Sequence, residues 1–204
     1  MSERRYDPEG TRAAILEAAR RIFVERGVGQ TSMADVARAA GVTKSLIHHH
    51  FGSKEKLWEA VKAAGYEHYF SSMLDIIQAK GGARNGPLEH AIRFTFQFHR
   101  ENPDMTRLLG WMSLEGELGP GDLHDQVCRA GLARIRRAQD EGYLRDDVEP
   151  AWIQASFLLL ASGWFQRQWE FEAWDLGEDE PPEPRAERFL RDMLKIFFDG
   201  VLPR

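Results

Sequence analysis

"TSMADVARAAGVTKSLIHHHFGSKEKL", residues 31–57, is the most informative stretch of this chain. Thr31-Ser32, with Asp35 three residues after the serine, is a capping-box-like start in which Asp takes the usual Glu position. Met33, Val36, Ala37 and Ala40 then recur at helical spacing, and Gly41 closes the segment. Thr43 can cap a second short helix bearing Leu46, Ile47 and Phe51, after which Gly52-Ser53 breaks the chain. Two short helices around the turn Ala40-Gly41-Val42 match a helix-turn-helix. Gly41 tolerates a positive φ in that turn, while Val42 and Ile47 pin the helices together. The second helix displays Thr43, Lys44, Ser45 and the histidines outward, and its small polar N-terminal end suits the major groove. Lys44 and Lys54 suit phosphates, and helix starts, including the one at Thr31 and Ser32, offer N–H donors to them. An alanine-rich helical hairpin with no DNA role is the alternative at this level.

His48, His49 and His50 first suggest a metal. Successive residues on a helix stand about 100° apart, so three consecutive side chains point in three directions and cannot close on one ion. No metal and no cofactor is expected.

Helical patterning extends in both directions. Upstream, Asp7-Pro8 is a start signal, Ile15, Ala18, Ala19, Ile22 and Phe23 share one face, and Gly27 ends the stretch. Downstream, a long helix is expected from about Lys54 to Ala79. Others follow Asn85-Gly86-Pro87 (Leu88, Ile92, Phe94, Phe96, Phe98), Asn102-Pro103 (Met105, Leu108, Leu109, Trp111, Met112, Leu114) and Gly119-Pro120-Gly121 (Leu123, Val127, Leu132, Ile135). Pro150 opens a strongly apolar helix, the acidic Pro-rich segment 177–184 reads as a loop, and a last helix is expected from about Arg185 to Val201. With no strand pattern and no repeat, the chain reads as all-α, about nine helices. The division expected is a head at 1–53 and a helical body at 54–204.

Composition is consistent with this. The 204 residues are 43% hydrophobic and 29% charged, with a formal net charge of −5. Residues 1–56 hold ten Lys or Arg against seven Asp or Glu, a net of +3, and the rest carries −8. A mildly basic head on an acidic body is the asymmetry expected if only the head meets phosphate. The single cysteine, Cys128, excludes an intrachain disulfide framework and a Cys-based zinc cluster, and reads as a small hydrophobe. The start carries no secretory pattern, and the longest apolar run, 155–165, falls short of the ~20 residues of a membrane span. A cytoplasmic location and no membrane partner are expected.

The same stretch resembles the N-terminal DNA-binding domain of TetR/AcrR-type transcriptional repressors. Agreement with that family's pattern includes Ala37, Ala40, Gly41, Val42, Thr43, Ile47, His50, Phe51, Ser53, Lys54, Glu55 and Leu57. "AAILEAARRIFVERG" (13–27) looks like the family's first helix, so the motif-level likeness covers about 11–57. Two residues depart from the pattern. Ser45 stands where the family usually has glycine, and His48 where a tyrosine usually reaches a backbone phosphate. The resemblance implies that His48 and His50 face phosphate, with His49 nearby. Arg4 and Arg5 offer a minor-groove arm, with a frayed terminus as the commoner explanation.

For the body, the resemblance implies a homodimer on a palindromic double-stranded DNA operator and an apolar site for a small-molecule effector. The run 155–165 is apolar on nearly all sides, and the last helix carries two adjacent stripes, Phe189-Met193-Ile196 and Leu190-Leu194-Phe197-Val201. Leu158, Phe165, Leu190, Leu194, Phe197 and Val201 are the expected dimer residues. Phe70, Met73, Leu74, Phe94, Phe98, Met105, Leu108, Trp111 and Met112 are the expected pocket residues, although such stripes are also ordinary core. Effector binding would move the long helix, with Gly65 a candidate flex point, and so change the spacing of two recognition helices.

Two other functions are weighed. An enzyme is disfavoured because no P-loop, G-x-S-x-G, H-E-x-x-H or dinucleotide fingerprint is present. His99 with Glu101, and Glu115 with Glu117, are i, i+2 pairs that do not share a helix face. An all-helical interaction module that has lost operator binding stays open through Ser45 and His48.

Overall fold

The computed structural model describes residues 7–81, 86–117, 119, 121–174 and 182–203. Among the described residues the chain is entirely helical: α1 Pro8–Arg26, α2 Met33–Ala40, α3 Lys44–Phe51, α4 Lys54–Gln78, α5 Pro87–Glu101, α6 Pro103–Glu115, α7 Gly121–Asp140, α8 Pro150–Glu172 and α9 Pro182–Val201. The last helix begins at Pro182, about three residues before the expected start, because proline lacks an N–H and is at home in a first turn, where none is needed. Most of the acidic loop expected at 177–184, and the Arg4–Arg5 arm, lie outside the described residues. No described helix is long and apolar enough to cross a membrane.

Contacts divide the chain into two compact units. One joins the chain up to Glu67 with Arg107–Gly121, and the other joins His68–Thr106 with the chain from Asp122 onward. The division between these units falls inside α4 and α6.

In the first unit, the Asp7 carboxylate accepts from the Gly10 N–H at 3.0 Å and starts α1. Ile15, Ala19 and Phe23 of α1, Val36 of α2, Ile47 of α3 and Leu57 of α4 are buried. Phe23 meets Trp58 edge-on at 5.3 Å between ring centroids. The C-terminal half of α6 docks on the end of α1. The Trp111 indole N–H donates to the Val24 carbonyl at 3.3 Å and the Arg107 guanidinium to that of Glu25 at 3.4 Å. Both satisfy carbonyls that a helix end leaves without intrahelical partners. Gly27, at φ +77°, permits this approach, since a Cβ there would lie 3.0 Å from the Trp111 ring.

The second unit is built around α5, α8 and α9. Ile92, Phe96, Ile153, Phe157, Ala161, Trp164, Leu190, Leu194, Phe197 and Phe198 are buried together, and Trp164 stacks on Phe189 at 4.4 Å. The stripe Leu190-Leu194-Phe197-Val201, expected at a dimer surface, is thus buried inside the chain itself, and Leu158 and Phe165 are half-buried against the same core. Met193 and Phe189 of the adjacent stripe pack on the same core, which leaves only Ile196 of the two stripes exposed. The large apolar side chains left exposed on these helices are others: Trp152, Leu159, Leu160 and Trp169 on α8, and Ile196 on α9.

Candidate nucleic-acid interface

The geometry of α2 and α3 follows from local bonds. The Ser32 hydroxyl accepts from the Asp35 N–H at 3.2 Å and the Asp35 carboxylate accepts from the Ser32 N–H at 3.2 Å, completing the capping box. The Ser32 hydroxyl, which also donates to the Asp35 carboxylate at 2.6 Å, and then the Ser32 N–H hold that carboxyl below its usual range. Gly41 takes φ +67°, and the Val42 N–H reaches back to the Ala37 carbonyl at 3.0 Å. This five-residue return marks a Schellman-type end, which only a left-handed residue allows. Thr43 then accepts from the Leu46 N–H at 3.3 Å and starts α3.

The sequence-predicted residues take unequal positions on this frame. Lys44, Ser45, His48 and His49 are exposed, and His50 is half-buried. Thr43 is exposed, its hydroxyl 3.0 Å from that of Ser45. Thr31 departs from expectation: it is buried, and its hydroxyl donates to the Gly27 carbonyl at 2.8 Å, so its side chain serves the turn after α1. Ser32 is exposed, but its hydroxyl belongs to the cap. Lys54 donates to the Val28 carbonyl at 3.0 Å, tying the start of α4 to the same turn. That bond uses one of three ammonium donors and leaves the charge in place.

Together these groups border an open groove of about 490 Å³, lined among others by Ser32, Lys44, His48 and Lys54, with Gln30 at its side. Two ammonium groups and an imidazole face it, and no carboxylate lines it. Such a concavity attracts anions. His48 Nδ1 lies 2.7 Å from the Gly52 carbonyl oxygen, and the His49 and His50 rings meet edge-on at 5.6 Å. Among the described residues no group of three His, Cys, Asp or Glu is placed to hold a metal ion.

The expected pocket residues separate between the two units. Leu108, Trp111 and Met112 lie in the first, where Trp111 is occupied with α1. Phe70, Met73, Leu74, Phe94, Phe98 and Met105 lie in the second. There Phe70, Phe94 and Phe98 surround Tyr69, with ring centroids 5.3, 5.6 and 4.7 Å away. The sequence reading missed Tyr69. Its buried hydroxyl lies 3.0 Å from that of Thr95, and burial pushes its ionisation up to about 12. It also missed His99 as a core group: Nδ1 lies 2.9 Å from the Thr106 hydroxyl, and burial pulls its pKa down to about 4. Cys128 is half-buried, and burial raises its thiol as well. A polar residue inside an apolar helical stripe was the signal available for both missed groups.

A capped helix-turn-helix with a cationic groove, followed by a separate helical body, defines the class of helix-turn-helix regulators. Residues 15–61 match the family described as "Bacterial regulatory proteins, tetR family", and residues 89–193 match "Tetracyclin repressor-like, C-terminal domain". The chain belongs to the TetR family, whose members are transcriptional regulators rather than enzymes. It is 47% identical over 55 residues to the HTH-type transcriptional regulator TtgR of Pseudomonas putida, covering 27% of this chain and 26% of TtgR. The match thus spans about a quarter of that relative's length. It is 29% identical over 160 residues to the HTH-type transcriptional repressor SCO4008 of Streptomyces coelicolor, covering 76% of this chain and 77% of the relative. Its fold resembles that of AibR, crystallised with isovaleryl coenzyme A and operator DNA, with a TM-score of 0.67 at 21% identity over 92% of this chain and 98% of AibR.

Proposed function

We propose that this chain is a ligand-responsive transcriptional repressor that binds a palindromic operator as a homodimer and leaves it when a small apolar or amphipathic molecule binds the body. The observation that carries the DNA part is the exposed start of α3, Lys44 and Ser45, beside a groove faced by Lys44, His48 and Lys54 without a carboxylate. Lys44 neutralises a phosphate, Thr43 and Ser45 approach base edges, and the Lys54–Val28 bond holds the groove's wall in register. Exposed Trp152, Leu159 and Leu160 on α8, with Ile196 on α9, supply the apolar side chains for a face against a second copy, since large apolar groups gain by being covered. The aromatic group around Tyr69 supports an effector site in the second unit. AibR's complex with a coenzyme A thioester and operator DNA supports a body that takes small ligands in this fold, without indicating which ligand this chain takes.

The test is selection of random-sequence duplex DNA by the purified protein, followed by titration of the enriched duplex at several salt concentrations. The expected result is a near-palindromic site, two or more protomers per duplex and a steep salt slope. Lys44→Ala should lower that slope by about one per protomer, while Ser45 substitutions shift sequence preference. No enriched sequence from a folded, dimeric protein would overturn the operator reading and leave an interaction module.

A further inference from the structure

The groove beside α3 contains a titratable side chain whose tautomer is set by the backbone. His48 Nδ1 lies 2.7 Å from the Gly52 carbonyl oxygen. A carbonyl only accepts, so Nδ1 carries the hydrogen. In the neutral ring, Nε2 then holds a lone pair and no proton. A phosphate oxygen is also an acceptor, so neutral His48 meets it lone pair against lone pair. Adding a proton at Nε2 supplies a donor and a positive charge, and the Nδ1–H bond to Gly52 survives unchanged.

The surroundings of that ring are cationic. Lys44 faces the same groove from α3 and Lys54 from the start of α4. Lys56 reaches to 4.0 Å from where a Cβ on Gly52 would stand. On α2, Asp35 is engaged by Ser32 and Arg38, and on α4, Glu55 is engaged by Ser53. The groove's lining is therefore cationic, and a phosphate entering between these groups favours the imidazolium form.

Resting on the operator reading above, we infer that His48 holds DNA phosphate in its imidazolium form, so that operator binding takes up about one proton per protomer and weakens as pH rises. Where the imidazolium forms only on binding, each unit of pH lowers affinity up to about tenfold per protomer, or about a hundredfold for a dimer on two half-sites. His49 and His50 do not line the groove.

The experiment uses the full chain and a duplex enriched from random DNA by the wild-type protein. Affinity is measured at fixed ionic strength from about pH 5.5 to 8.5, the range in which imidazole titrates. Calorimetry in two buffers of different ionisation heat counts the protons taken up. Wild type should show the falling profile and proton uptake. His68→Gln and His90→Gln, both in the unit that does not carry the helix-turn-helix, should keep both. His48→Gln and His48→Tyr, whose amide and phenol donate at every pH in the range, should give flat profiles. His48 is exposed, so both variants are expected to fold, and circular dichroism checks it. A flat wild-type profile on a duplex that is bound, or a slope that survives in His48→Gln, overturns the proton coupling alone. A protein that binds no duplex at any pH overturns the operator reading and this inference with it.

Discussion

Lys62 and Glu117, 55 residues apart, form a part-buried ion pair: Lys62 Nζ lies 2.8 Å from Glu117 Oε2, and Lys62 is 2% exposed. The bond joins α4 to the segment that follows α6, within the unit that carries the helix-turn-helix. Glu59 takes a second ammonium hydrogen at 2.7 Å, and the Glu117 carboxylate also accepts from the Trp58 indole N–H at 2.7 Å. Burial works against the ammonium charge, but the two carboxylates outweigh it, so Lys62 holds its proton more tightly than an ordinary lysine.

Removing the acid should therefore cost more than removing the base. Glu117→Ala leaves a buried ammonium with one carboxylate and deprives Trp58 of its acceptor, at a cost of about 3 kcal/mol. Lys62→Met fills the same space with apolar atoms and leaves Glu117, which is partly exposed, on Trp58. Urea denaturation of the two variants ranks them; a larger loss in Lys62→Met would refute this account.

Gly27→Ala adds two strains at one position, a left-handed backbone and a methyl 3.0 Å from the Trp111 ring. The expected loss is at least about 1 kcal/mol from the backbone, with the steric part added to it. In a Trp111→Ala background only the backbone part should remain. A double-mutant cycle on thermal stability measures the difference, and simple additivity would show that the ring does not press on Gly27.

His99 gives the fold a pH dependence of calculable sign. Its pKa is about 4 when folded, against about 6.5 when unfolded. The unfolded chain therefore binds a proton first. Stability is intact above about pH 6.5 and falls as pH drops toward 4, by about 3 kcal/mol at most. Thermal midpoints of wild type and His99→Gln across this range test it: the variant starts lower at pH 7 and loses less on acidification.

At the proposed dimer face, Leu159→Glu combined with Ile196→Glu should give a folded monomer, because both side chains are more than 70% exposed in the single chain. Leu194→Glu should instead unfold the second unit, since Leu194 is 5% exposed and lies in its core. Light scattering with circular dichroism separates the two outcomes. A dimer that survives the paired substitution places the contact elsewhere.

The helix-turn-helix was legible because its determinants are local. Ser32 and Asp35, Gly41 and Ala37, Thr43 and Leu46 are three or four residues apart, so chain chemistry alone dictates the caps and the turn. Helix boundaries elsewhere followed for the same reason, with Pro8, Pro87, Pro103 and Pro150 each opening a helix.

Partner choice over long separations was not legible. Periodicity identifies two apolar stripes on α9 but cannot say that Leu190, Leu194, Phe197 and Val201 face their own chain while Ile196 stays outside. Residue type identifies Lys54 as a cation and Thr31 as a donor, but only packing shows them bonded to Val28 and Gly27 in the turn after α1. Lys62 stands in the apolar stripe of Leu57, Trp58 and Val61, a visible anomaly whose answer, Glu117, lies far along the chain. Short-range hydrogen bonding is written in neighbouring residues. The choice of which face is buried, and which charge meets which, arises only when distant helices compete for the same space, and tertiary structure decides it.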